Sequence, residues 1–343
     1  VRIPDLASLS SKCGMPAVAL TDSGNLFGAL EFSQYCKSAG VQPIVGCQLS
    51  LPARSTKPGA PTEPLVLLAR NEVGLANLQI LSSHGFLHGD PGEPSLAIDV
   101  LCAHSDGLFL LTGGNRGPLN RMIYDEQEVE AGILLDQLNS AFHGNIAIEL
   151  NRLGEQGEQE VENALIRLAD RYDIPLVATN ECFFPTPQFH EAHDALICIA
   201  QGRTIAESDR WRVSAEAWFK SPAEMRALFH DLPEACDNTL IIAQRCAIAA
   251  CTRKPLLPVC PKVREGSTEE ETLRALAWEG LEKRLEAMDA GPETRSLYSE
   301  RLQTELDIIA GLGFPGYLLI GADFLQWAKA NDVPVGPGRG SGA

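Results

Sequence analysis

The residues "VPVGPGRGSGA", Val333 to Ala343, set one guanidinium and one hydroxyl into a run of glycines. Alternating glycines let backbone N–H groups converge on an anion without Cβ obstruction. Arg339 can grip phosphate oxygens with two parallel donors, and Ser341 can add a third. The predicted frame is a strand before the loop, and a helix N-terminus would add partial positive charge. The run is not a Walker A loop, because the Gly-Lys-Ser/Thr ending is missing. It does not fit GxGxxG either, since Ser341 stands where the last glycine would be. Phosphate binding through Gly338, Arg339, Gly340 and Ser341, or a tight glycine-rich turn, are the two readings of the loop taken alone.

Other residues with chemical capacity are weaker. His190 and His193 in "FHEAHDAL" are three apart on a predicted helix, but no third ligand lies nearby in sequence, so packing and capping are the expected roles. His84 and His88 in "SSHGFLHG" are four apart, yet Gly85 and Gly89 predict a frayed helix end. The ten cysteines contain no CxxC pair, and several sit inside apolar runs, which fits buried free thiols rather than disulfides or a zinc ribbon. Asp323 is expected to be solvated or capping, and Trp278, Phe314, Tyr317 and Trp327 to be core.

These groups need a scaffold, and the first half of the chain supplies its signature. Short apolar runs ("PAVALTD", "QPIVGCQL", "PLVLLAR", "GLFLLTGG", "NIAIEL", "IPLVATNE") alternate with amphipathic stretches. Such runs suit parallel strands buried on both faces, and the alternation predicts an α/β layer fold or barrel. "GALEFSQYCKSAG" is read as a helix with Leu30 and Tyr35 on its packed face. "EQEVENALIRLADRYD" places Val161, Leu165 and Leu168 on one stripe. After Cys182 the pattern turns helical, "SPAEMRALF" opening on a Ser-Pro cap signal. The Pro-rich "TRKPLLPVCPKVREGS" predicts a boundary that divides the chain into 1–255 and 256–343. Beyond it, "TEEETLRALAWEGLEKRLEA" and "SLYSERLQTELDIIAGLG" predict long helices, the first capped by Thr268 and started by acids.

The 343 residues, 45% hydrophobic and 21% charged, are enough for two soluble domains. A net charge of −17 argues against a freestanding electrostatic grip on nucleic acid. No apolar run reaches the length of a membrane span. With no signal peptide and no initiator methionine, both ends read as cuts.

The closing stretch "GFPGYLLIGADFLQWAKANDVPVGPGRGSGA" resembles the start of the polymerase core in the alpha (catalytic) subunit of bacterial DNA polymerase III, the C-family replicative polymerase. "MPAVALTDSGNLFGALEFSQYCKSAGVQPIVGCQL" resembles the PHP (polymerase and histidinol phosphatase) domain of the same family. "AHDALICIAQGR" and "FKSPAEMRALFHDLPEACDNTLIIAQRC" resemble the segment between them, in the same order. The wording is nearest to alpha-proteobacterial types. The resemblance implies a PHP-type distorted (β/α) barrel, a helical segment and the beginning of a palm. It also implies a cytoplasmic DNA-directed DNA polymerase that works on template-primer and deoxynucleoside triphosphates. Its implied partners are a proofreading exonuclease subunit, a sliding clamp and other holoenzyme subunits, and it has no membrane partner. Gly338, Arg339, Gly340 and Ser341 would then contact the triphosphate. The family's Mg2+-binding aspartates lie downstream of this loop, so the fragment is expected to be inactive by itself.

The resemblance also implies a trinuclear metal centre in the PHP domain. At the matched positions the His-x-His motif would precede Val1, and Thr-Asp-His becomes Thr21-Asp22-Ser23. Gln48 replaces a glutamate, Pro64 a histidine and Gly114 a cysteine. Asp-x-His becomes Glu181-Cys182-Phe183. Asp22 and Glu181 remain, too few to hold such a cluster, and Cys182 would face the opposite side of a strand. The expectation is a vestigial, structural domain without metals that docks the proofreading subunit; a metal-dependent phosphoesterase is the alternative.

Overall fold

Six short strands of the first 180 residues form one sheet in chain order, β1-β2-β3-β4-β5-β6, in a computed structural model that describes residues 1–54, 61–89, 94–253 and 256–336. The elements of this part are α1 (Ile3–Lys12), β1 (Ala17–Leu20), α2 (Ala29–Ser38), β2 (Gln42–Leu51), β3 (Glu63–Ala69) and α3 (Glu72–His88). They continue with α4 (Ile98–Ala103), β4 (Leu108–Leu111), α5 (Pro118–Tyr124), α6 (Glu128–Phe142), β5 (Ile146–Leu150), α7 (Glu158–Tyr172) and β6 (Leu176–Ala178). Three further helices follow, α8 (His190–Gln201), α9 (Pro222–Leu228) and α10 (Pro233–Arg245). The chain divides into two units, Val1–Thr252 and Arg253–Ala343.

The sheet is mixed and curls into a half-barrel. β1–β2, β4–β5 and β5–β6 are parallel, whereas β3 runs antiparallel to both its neighbours. That corrects the all-parallel expectation. A strand buried on both faces has the same composition whichever way it runs, so its direction is not written in its residues. The burial itself is as expected: β3, β4, β5 and β6 are almost wholly buried. Alternate side chains feed two cores. Leu65, Leu67, Leu110, Ile148 and Leu176 join the larger one with α3, α6 and α7. Leu68, Phe109, Ala147 and Val177 join a smaller one that α10 covers with Ile242 and Ala243, together with Cys246 just past its end.

Two helix faces differ in how well their sequences announce them. On α7, Val161, Leu165 and Leu168 are buried as the stripe predicts. On α2 the buried face carries Phe32, Ser33 and Cys36, while Leu30 and Tyr35 point to solvent at 39% and 45% exposure. Ten residues holding apolar groups all round leave the face undecided until the sheet is present. α3 continues through Gly85 to His88, so the frayed end is not found, and the His84 and His88 rings lie 4.4 Å apart. Gly85 is buried close to Leu96 and Pro94, a packing position rather than a break.

A partly buried ion cluster ties the strand ends to the helical segment. Arg152, just past β5, pairs with Glu162 of α7 at 2.7 Å and with Asp231, beyond α9, at 2.7 Å. It also donates to Leu228 O and lies 4.5 Å over the Phe229 ring.

The second unit contains α11 (Glu269–Ala287), α12 (Pro292–Gly311) and α13 (Pro315–Ala330). Thr268 and Glu271 form a capping box at the start of α11. Leu285, Leu306 and Leu319 are among its few buried side chains. The core assignment for the aromatic residues is not met: Trp327 is 61% exposed, Tyr317 60% and Phe314 42%, with Trp278 half-buried. Three helices bury one stripe each against one another, and their opposite faces stay open. The expected strand before the glycine loop is also absent, since Val333–Gly336 has no regular structure. Gly338, Arg339, Gly340 and Ser341 lie outside the described residues. Among the described residues no single helix is long and apolar enough to cross a membrane.

Candidate functional site

One rim of the sheet collects the polar residues. The C-terminal ends of β4, β5 and β6 lie side by side because these strands are parallel, and β3, being antiparallel, brings its first residues to the same rim. On the other side of β3, Ser23 bridges Gln48, whose backbone N–H donates to Asp22 O at 3.0 Å.

At the centre is Glu149, a carboxylate buried among apolar neighbours on β5. Its Oε2 accepts from the Gly113 N–H at 3.0 Å, its Oε1 accepts from the Thr179 hydroxyl at 2.6 Å, and its own N–H donates to Thr112 Oγ1. Burial pushes this carboxyl up to about 6. The Thr179 hydroxyl and the Gly113 N–H pull it back, and the Glu181 charge raises it further. Asn151 extends the network, donating to Thr179 Oγ1 at 2.7 Å and accepting from the Asn115 N–H at 3.1 Å. Arg116 donates to Glu181 Oε1 at 2.6 Å.

The glycines of "LTGGNRG" shape this corner. Gly113 has φ 90° and Gly114 φ 54°, a left-handed backbone that glycine adopts freely. A Cβ on Gly113 would stand 1.9 Å from Pro64 O, and one on Gly114 would stand 1.7 Å from Asn151 Oδ1.

The donor set does not fit a polynuclear metal centre. Gly114 has no room for a side chain, Pro64 offers no ligand, and Gln48 offers a neutral amide. Asp22 is exposed as a residue, and partial desolvation raises its carboxyl. Glu181 is engaged by Arg116. Phe183 turns its ring towards His193, with centroids 5.5 Å apart. Cys182 is not on a strand at all, because β6 ends at Ala178; its Sγ lies 3.8 Å from Trp218 O. Among the described residues no three His, Cys, Asp or Glu side chains converge as a metal group would require. His190 holds Val213 O at 3.0 Å through Nε2 and His193 stacks near Phe184, the packing roles expected of them. In the second unit Asp323 pairs with Lys262 at 2.5 Å.

Sequence reasoning passed over Glu149, Arg116, Asn151 and Thr179. The available signal was an acid in an otherwise apolar run, "NIAIEL", which predicts a buried carboxylate with partners.

The fold of the first unit is PHP-like. The PHP domain family model matches residues 1–153, and the bacterial DNA polymerase III alpha NTPase domain model matches residues 271–343. DNA polymerase III subunit alpha of Caulobacter vibrioides is 44% identical across the whole chain, which covers 30% of that relative. The Vibrio cholerae subunit of the same name is 40% identical, again over the whole chain and 30% of the relative. The chain is similar along its whole length to these alpha subunits and spans about a third of their length. A solved amidohydrolase from Chromobacterium violaceum aligns with 52% of this chain and 80% of its own at 12% identity, with a TM-score of 0.33, too slight a likeness to argue from.

Proposed function

We propose that this chain is the PHP and early polymerase part of a replicative DNA polymerase, and that its PHP unit is a metal-free scaffold. The observation that supports it most directly is the match of the whole chain to DNA polymerase III alpha subunits. On this reading the enzyme extends a primer on a DNA template from deoxynucleoside triphosphates. Arg339, flanked by Gly338 and Gly340 and followed by Ser341, holds the triphosphate, with the guanidinium making charge-assisted contacts to phosphate oxygens. Phosphoryl transfer also needs metal-bound charge neutralisation, so Mg2+ and its carboxylates belong to the rest of the polymerase, and this stretch alone does not polymerise.

The PHP unit then works by shape. Its rim is filled with hydrogen bonds rather than open ligand positions, which favours a surface that docks the proofreading exonuclease subunit over a phosphoesterase site. The sliding clamp and other holoenzyme subunits attach elsewhere on the full-length protein.

Steady-state primer extension by the full-length enzyme tests the nucleotide assignment. Arg339→Ala should raise the nucleotide KM or lower kcat at least tenfold, the loss of about one charged hydrogen bond. Unchanged kinetics would remove Arg339 from the site.

A further inference from the structure

Between α5 and the loop that joins β5 to α7 lies a cavity of about 230 Å3, whose walls include Asn115, Asn120, Arg121, Tyr124, Glu155 and Gly157. It is several times the ~30 Å3 that one water occupies in the liquid. Part of its polar wall is already engaged. Glu158 accepts from the N–H groups of Leu153 and Gly154 at 2.6 and 3.0 Å and from Asn115 Nδ2 at 2.8 Å. Arg121 Nη1 donates to Pro61 O at 3.1 Å. Two acceptors keep their capacity. Asn120 is 8% exposed, and its Oδ1 is buried with no partner. A half-turn of that amide exchanges the oxygen with the NH2 group, so either end can face the cavity. The exposed Glu155 carboxylate takes one 3.3 Å bond from Asn115 Nδ2 and pairs with no Lys or Arg among the described residues. Tyr124 forms a wall that is 65% exposed. It lies against Gly157, where φ is 80° and a Cβ would stand 3.1 Å from the ring.

We propose that this cavity receives an arginine side chain presented by a partner protein. The guanidinium lies against the Tyr124 ring and donates to the Glu155 carboxylate and the Asn120 amide oxygen. Charge selects a cation: Glu155 and the exposed Asp125 and Glu126, which follow Tyr124, belong to a chain of net charge −17. Shape selects arginine over lysine, because a planar group stacks on the ring while its fork of donors reaches two acceptors at once. A single free carboxylate beside Arg121 is a poor host for a bare divalent cation, which gathers six or more oxygens. The inference goes beyond the scaffold reading and does not depend on the absence of metal from the rim.

The test titrates the whole chain, labelled with nitrogen-15, with Nα-acetyl-arginine N-methylamide at physiological ionic strength, and follows it by proton–nitrogen correlation NMR. The Asn120 side-chain amide and the Gly157 backbone amide should shift together and saturate. The matching citrulline derivative, an uncharged isostere, should move neither. Glu155→Gln should weaken binding at least about tenfold, the loss of one charged hydrogen bond. Tyr124→Ala should weaken it about threefold. Both side chains are exposed, so both variants should keep the wild-type circular dichroism spectrum. Free L-arginine should bind no more tightly than the blocked form. If the blocked arginine gives no saturable shift at these amides, if citrulline matches it, or if Glu155→Gln binds as well as wild type, the assignment is overturned. Tighter binding of free L-arginine would make the cavity a small-molecule site and overturn the partner-protein assignment.

Discussion

Replacing Glu149 by glutamine removes an ionisable group whose two protonation states the fold treats differently. The folded carboxyl sits at about 6 against an ordinary 4.5, chiefly because burial penalises the charged form. The folded state therefore holds this proton more tightly than the unfolded state does. The stability that follows is fully present below pH 4.5 and is lost as pH rises through about 6. A shift of this size corresponds to about 2 kcal/mol, the cost of keeping Glu149 ionised near neutral pH. Glutamine avoids that cost and keeps a carbonyl for the Gly113 N–H. Its amide would face Thr179 Oγ1, which already accepts from Asn151, so the Thr179 hydroxyl proton loses its acceptor. That lost bond costs about 1 kcal/mol.

The two terms give Glu149→Gln a stability advantage of about 1 kcal/mol above pH 7 and a deficit of similar size at pH 4.5. Urea unfolding of both proteins, read by far-ultraviolet circular dichroism across that range, measures the crossing. Glu181→Gln should lower the midpoint of the transition in wild-type Glu149, because the Glu181 charge helps to raise it. A stability difference between wild type and Glu149→Gln that stays level from pH 4.5 to 8 would refute the reasoning, for then burial is not setting the proton affinity.

Arg152→Met strips the shared partner from Glu162, whose side chain is only 5% exposed, and should destabilise the first unit by about 3–5 kcal/mol in chemical denaturation. Gly114→Cys would place a sulfur where the resemblance implies a ligand, yet its Cβ would collide with Asn151 Oδ1 in a left-handed backbone. It should lower the melting temperature without bringing metal uptake by elemental analysis. Thr268→Ala breaks the capping box of α11 and should cost about 1 kcal/mol, seen as faster amide exchange in the first turn of that helix.

The strands were legible because each is a short Val, Ile or Leu run closed by a turn residue, and all six appear where such runs stand. Their pairing was not. The direction of β3 depends on the residues linking β2 to it, and nothing in "EPLVLLA" records which way the strand runs. Orientation on α2 failed similarly, since Leu30 and Phe32 are equally apolar and only the sheet decides that Phe32 is buried. The candidate site divides the same way. The residues at the positions where the resemblance implies ligands, Ser23, Gln48, Pro64 and Gly114, can be read one at a time. What fills the corner cannot, because Gly113, Glu149 and Thr179 are more than 25 residues apart in the chain and meet only through the parallel register of β4, β5 and β6.

That register also explains why the polar groups of the rim meet one another. Open catalytic rims keep polar side chains poised for a ligand, with capacity unspent in the free protein. Here Glu149 spends both oxygens on the chain, Asn151 spends both its carbonyl and its amide, and Glu181 spends a carboxylate oxygen on Arg116. Each bond links a strand end to a neighbouring strand or to the turn after β4, so together they pin the edges of an open half-barrel that lacks the closure of a full one. Binding a metal at this rim would require breaking these bonds first. Gly114→Cys meets this obstacle directly, because its Cβ would stand 1.7 Å from Asn151 Oδ1, one of the groups that pins the rim.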